Sequence, residues 1–339
     1  MLIGDRLSNA DAPHQTISKV VGLAVFASDA LSSTAYATQE ILVILALAGA
    51  GALSFALPIA IAIVVLLAIV TISYEQTIHA YPGGGGAYIV SRDNLGDLAA
   101  QTAGAALLTD YTLTVAVSIS SGVAQIVSAF PYLTPWRVGI AIGMVFLVTL
   151  INLRGVKESG KAFAVPTYFF IAMMFLTVGL AFFRHLTGAL GQVVNPPPLE
   201  MAHEVQAMSL FLLLHAFSSG TTALTGVEAI SNGTTAFRQP RSRNAGATLI
   251  WMSVILGTLF LSITFISGQI GAVPSEQETV ISQLARTVFQ GQGLLYLATI
   301  AATTVILIMA ANTSYADFPR LGALVAADGF LPRQLTYRG

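Results

Sequence analysis

The chain contains no cysteine, which excludes disulfides, thiolate metal centres and thiol nucleophiles. It is also poor in charge. Asp, Glu, Lys and Arg make up 9% of residues, against about 25% in a soluble domain. Five histidines include no pair at the helical spacing of metal ligands, so a metalloenzyme finds no support and no cofactor is expected. A net charge of −1 is not diagnostic, and no nucleic-acid partner is expected. Residues 83–86 are four glycines, but without a preceding strand or a following Gly-Lys-Ser/Thr they read as a tight turn rather than a phosphate loop. The N-terminus lacks the form of a secretory signal: residues 1–18 are polar, and the apolar run after them is too long.

What the chain has in abundance is apolar sequence, at 55% of residues. Lipid demands that each backbone group be paired within its own element, which leaves helices or closed barrels. The apolar runs are long and lack strict alternation, so the fold class expected is an all-α membrane protein. Eight spans are expected, at about 17–48, 53–78, 97–129, 136–153, 162–184, 206–236, 245–271 and 292–316. Short helices are expected in the loops near 86–94, 276–288 and 318–327. The third span is long for one crossing, so tilt or projection is expected.

The basic residues orient these spans. With the N-terminus in the cytosol, only Arg137, Arg184 and Arg286 of the 15 Lys and Arg fall outside. Two sequons, at Asn232 and Asn312, then fall within spans or on the cytosolic side and read as chance.

Two spans are interrupted, one in each half. The first carries Asp29 within Phe26-Ala27-Ser28-Asp29-Ala30-Leu31-Ser32-Ser33. A carboxylate at mid-bilayer costs about 2.5–3.5 kcal/mol on insertion scales, so it marks a functional site by default. The serines around it compete for backbone groups and disfavour continuous helix. The sixth span breaks at residues 217–226 and is followed by Glu228. Paired broken spans are the pattern of a secondary transporter built from inverted repeats. The expected organisation is a cytosolic segment at 1–16, a first repeat of five helices at 17–184 and an extracellular loop at 185–205. A partial second repeat of three helices at 206–316 and a cytosolic segment at 317–339 follow. A second repeat of three spans is the pattern of a fragment of a longer protein.

Candidate ligands follow from helical spacing. Asp29 and Tyr36 are seven residues apart, about two turns. The third span carries Asp110, Thr114, Ser118, Ser121 and Gln125 in one stripe. Thr225 and Glu228 lie three apart on the sixth. This oxygen-rich set suits a hard cation. The bland alternative is that Ser and Thr pack helices or bond back to their own carbonyls, which suits Ser32, Ser120 and Ser121 best. Asp110 and Glu75 fall nearer span ends, where an ion pair or a proton path is equally in keeping.

The strings FASDALSSTAYATQEIL, AYPGGGGAYIVSRDNLG and ALTGVEAISNGTTAFRQPRSRNA resemble the amino acid–polyamine–organocation (APC) superfamily. Within it the chain is similar to the KUP-type, KimA-like potassium transporters. The resemblance implies a LeuT-like fold, truncated here after about eight helices, and proton-coupled potassium import across a bacterial plasma membrane. It places cation ligands at Asp29, Tyr36, Thr114, Ser118, Thr225 and Glu228, with potassium at that substrate site as the sole metal. Proton-coupling candidates are Glu228, Asp29, Asp110 and Glu75. Implied partners are potassium, protons and the bilayer, with a homodimer left open. Such proteins continue into further spans and a cytosolic nucleotide-sensing domain. The alternative is a proton-coupled amino-acid permease of the same superfamily. Those proteins hold a carboxylate on bare amides at a glycine-lined first break; this break holds Asp29 and no glycine. A non-transporting sensor would need no buried acids, and a channel would show a ring-forming filter. An enzyme is not expected.

Overall fold

The computed structural model describes residues 16–84, 86–153, 160–198 and 206–336. The expected N-terminal segment, apart from residue 16, therefore lies outside the described residues. So do the end of the 185–205 loop and the last three residues of the 317–339 segment. Among the described residues, eight helices are long and apolar enough to cross a bilayer: Lys19–Ala46, Ala50–Ala80, Asp97–Ala129, Pro131–Leu153, Phe163–Leu186, Leu210–Asn232, Arg241–Ile270 and Leu294–Ala327. Among the described residues there is no β-strand, only an isolated bridge between Ile17 and Phe237.

Local chemistry sets several of their ends. Ser18 accepts from the Val21 N–H, Ser209 from Leu212 and Thr279 from Ser282, each satisfying an N–H that the first turn leaves free. Gly271, at φ 68°, closes the seventh span in the left-handed conformation that glycine adopts without penalty. The 33-residue third and 34-residue eighth spans are each about 50 Å long, beyond the roughly 30 Å of hydrocarbon a bilayer presents.

Short helices stand at Gly86–Leu95 and Val280–Val288, near two of the expected loop positions. The third expectation needs correction. Residues 318–327 form no separate helix but continue the eighth span to Ala327 through Pro319. Proline there removes one N–H and leaves the Tyr315 carbonyl without its helical donor, a loss that packed membrane helices tolerate.

The spans sort by contact into two groups. The first, second, sixth and seventh pack on one another. The third, fourth and eighth form the other set, with the fifth against the eighth. The first span joins the groups through its contacts with the fifth and eighth. The two interruptions meet inside this assembly. The first span is α-helical over Lys19–Ser32, tightens to a 3-10 turn at Ser33–Ala35 and resumes over Ala37–Ala46. The sixth runs Leu210–Gly220, a 3-10 turn Thr221–Leu224, then irregular backbone before Ala229–Asn232. Both breaks begin a few residues later than the sequence suggests; in the first, serine hydroxyls bond backward to carbonyls without leaving the helix.

Candidate functional site

The first break is built by hydroxyls. Ser28, Ser32, Ser33 and Thr34 donate to the carbonyls three residues earlier, at 3.2, 2.7, 2.6 and 2.8 Å. These bonds occupy carbonyls and favour the tighter turn in which the helix ends. Ser33 Oγ is also 3.0 Å from the Ala223 carbonyl oxygen, stitching the first break to the sixth.

Asp29 lies one turn before that interruption and is only 3% exposed. Its neighbour is Gly226, at φ +83°. A β-carbon on Gly226 would fall 2.8 Å from Asp29 Cγ and 2.9 Å from the Ala30 nitrogen. Glycine is thus required twice, for the backbone angle and for the approach. Glu228, 7% exposed, follows two residues later. Asp29 Oδ1 and Glu228 Oε1 are buried and have no hydrogen-bond partner among the described residues. Asp29 lies within electrostatic range of Glu228, Asp110 and Asp317, and Tyr36 within range of Asp29 and Asp110. Buried acids this close repel one another when ionised, and an interposed cation relieves that repulsion.

On the third span, Thr114, Ser118 and Gln125 are buried while Ser120 is exposed, so the expected stripe does face inward. Ser118 Oγ has no hydrogen-bond partner among the described residues. Gln125 has another engagement: its Oε1 accepts from Thr279, at the start of the short helix Val280–Val288. Asp110, Ser121 and Thr225 are half-buried. Glu75 stands apart from the buried acids, paired with His79 at 3.3 Å and 37% exposed.

Two contributors escaped the sequence reading. Gly226 was visible only as one glycine in a Thr- and Ala-rich run; its left-handed backbone and contact with Asp29 are tertiary facts. Asp317 on the eighth span lies within range of Asp29 and Glu228 and bonds Arg320 at 3.1 Å. The signal available for it was an acid inside an otherwise apolar run.

Eight apolar helices, two of them broken around buried carboxylates, define a membrane transporter of the APC type. The chain belongs to the amino acid permease family, whose family model, "Amino acid permease", matches residues 16–339. It is 45% identical over 338 residues to the potassium transporter KimA of Bacillus subtilis (strain 168), a match that covers 100% of this chain and 55% of that protein. The chain thus spans about half the length of the curated relative it matches.

Proposed function

We propose that the chain belongs to a secondary transporter that imports potassium together with protons by alternating access. The observation that carries this reading is Asp29, a buried carboxylate with an oxygen unpartnered among the described residues, held against the sixth-span backbone at Gly226 beside Glu228. A cation entering there would exchange water for carboxylate and hydroxyl oxygens from Asp29, Tyr36, Thr114, Ser118, Thr225 and Glu228. The 45% identity to a potassium transporter supports the choice of ion.

The group of first, second, sixth and seventh spans would rock against the third, fourth, fifth and eighth. Between acids this close, a proton and a cation can each neutralise the same charge, which is the requirement for coupling. Glu228 is the first candidate for the exchangeable proton, with Asp29, Asp110 and the more peripheral Glu75 behind it. In a plasma membrane with the N-terminus in the cytosol, the inside-negative potential adds about 2.3 kcal/mol per charge per 100 mV to cation entry.

The family match also admits an amino-acid permease. Asp29 opposes it, because a carboxylate at the first break repels the carboxylate such a substrate carries. Uptake of rubidium-86 and of labelled amino acids by the full-length protein, in cells stripped of other potassium uptake, separates the readings. Rubidium accumulation that potassium competes away is expected; accumulation of an amino acid in its place would overturn the ion reading.

A further inference from the structure

Away from the broken spans, a cavity of 380 Å³ opens where the second span ends and the seventh begins. It is lined by His79, Pro82 and residues 239–243, which include Arg241 and Arg243. Neither arginine has an ion-pair partner among the described residues. The Arg241 Nε is buried and donates to no group among the described residues. A guanidinium N–H taken from water without an acceptor is costly, so this group is suited to an oxyanion. Glu75, one turn before His79 on the second span, is already paired with that histidine at 3.3 Å.

The backbone adds to the same field. The 30-residue seventh span begins at Arg241, with no side-chain cap and no acid in its first turn. Its first N–H groups and positive dipole end are therefore left uncompensated by its own cap and first turn. Farther along the two helices that flank the cavity, Ile69 and Ile72 on one and Ile250, Trp251 and Val254 on the other are exposed apolar residues suited to lipid. The cavity thus stands where apolar surface gives way to charge, the level of headgroups.

We propose that this cavity binds the phosphate of an anionic phospholipid, with Arg241 and Arg243 as its cationic donors. The site is separate from the buried acids and does not depend on which ion they carry. A phosphodiester with acyl chains matches both features, the unpaired guanidinium groups and the flanking apolar helix faces. Free phosphate would use only the first.

Native mass spectrometry of the detergent-purified chain, titrated with phosphatidylglycerol or phosphatidylcholine, tests the assignment. Phosphatidylglycerol should remain bound in preference to phosphatidylcholine. Arg241→Gln with Arg243→Gln should weaken that binding roughly thirtyfold, on the usual weight of basic residues near an anionic surface. Arg333→Gln, elsewhere on the chain, should leave it unchanged. Phosphatidylcholine adducts on the same samples report whether the double variant stays folded. Arg243→Gln alone, at an exposed position, should give a smaller loss in the same direction. Equal phosphatidylglycerol retention by wild type and the arginine variants would overturn the site. Displacement of the lipid by millimolar inorganic phosphate would overturn the lipid as its ligand.

Discussion

The two broken spans reach their interruptions by different chemistry. The first contains no glycine at its break, and four hydroxyls bond backward to its own carbonyls. Its backbone passes from α-helix to a 3-10 turn without a positive φ. The sixth breaks at Thr225, with ψ 135°, and Gly226, with φ +83°. One span therefore presents a rigidly placed carboxylate, and the other removes a side chain to let backbone reach it. The lesson is that Asp29 is positioned by its own helix and enclosed by the other.

The sharpest way to break this division is Gly226→Ala. The methyl would meet Asp29 Cγ at 2.8 Å and the Ala30 nitrogen at 2.9 Å, and the left-handed backbone adds about 1–2 kcal/mol. Transport should be abolished and the thermal midpoint lowered, as measured by rubidium uptake and by unfolding in detergent. Full uptake would mean that the breaks do not need this approach.

Glu228→Gln tests the sixth span's own acid. It should uncouple proton movement from uptake yet retain cation exchange down a gradient, because the amide keeps an oxygen. Vesicles loaded with a pH-sensitive dye report the difference; proton flux equal to wild type would pass the coupling role to Asp29, Asp110 or Glu75. A smaller effect is expected on the third span. Thr114→Ala and Ser118→Ala should each weaken cation binding by about 1–3 kcal/mol, the usual cost of losing a buried polar partner. Ser120→Ala, on the exposed face, should do little. Equal small effects at all three would make the stripe a packing feature. The smallest effect should come from Ser33→Ala, which removes the 3.0 Å bond to Ala223 that joins the breaks. A loss of about 1 kcal/mol in stability with transport retained is expected.

The spans and the buried acids were legible because lipid penalises charge and unpaired backbone so strongly that few patterns survive. Asp29 and Glu228 were found in this way, Thr114 and Ser118 from their helical spacing to Asp110, and all four are buried. Features fixed by contact between distant segments were not legible. The glycine run at 83–86 read as a turn alone, yet Gly84 and Gly86 have positive φ and abut Asn232 at the end of the sixth span. Asn232 in turn donates to the Tyr111 hydroxyl at 3.2 Å. The continuation of the eighth span past Pro319 was hidden for a related reason. Tyr88 and Arg92 of the helix Gly86–Leu95 bond Asp328, just beyond the end of that span. Burial and the bond to Asp328 push the Tyr88 phenol up to about 12, so it stays a donor at ordinary pH.

In the proposed mechanism Asp29 is the charge that draws a cation to the meeting point of the two breaks. Asp29→Asn keeps the side chain's shape beside Gly226 and removes that charge. The direct measurement is rubidium uptake by the full-length variant across a range of low potassium concentrations, with the amount of protein in the membrane determined in parallel. Uptake should all but vanish at low potassium while the protein level is unchanged. An Asp29→Asn protein with wild-type affinity for potassium would contradict the account.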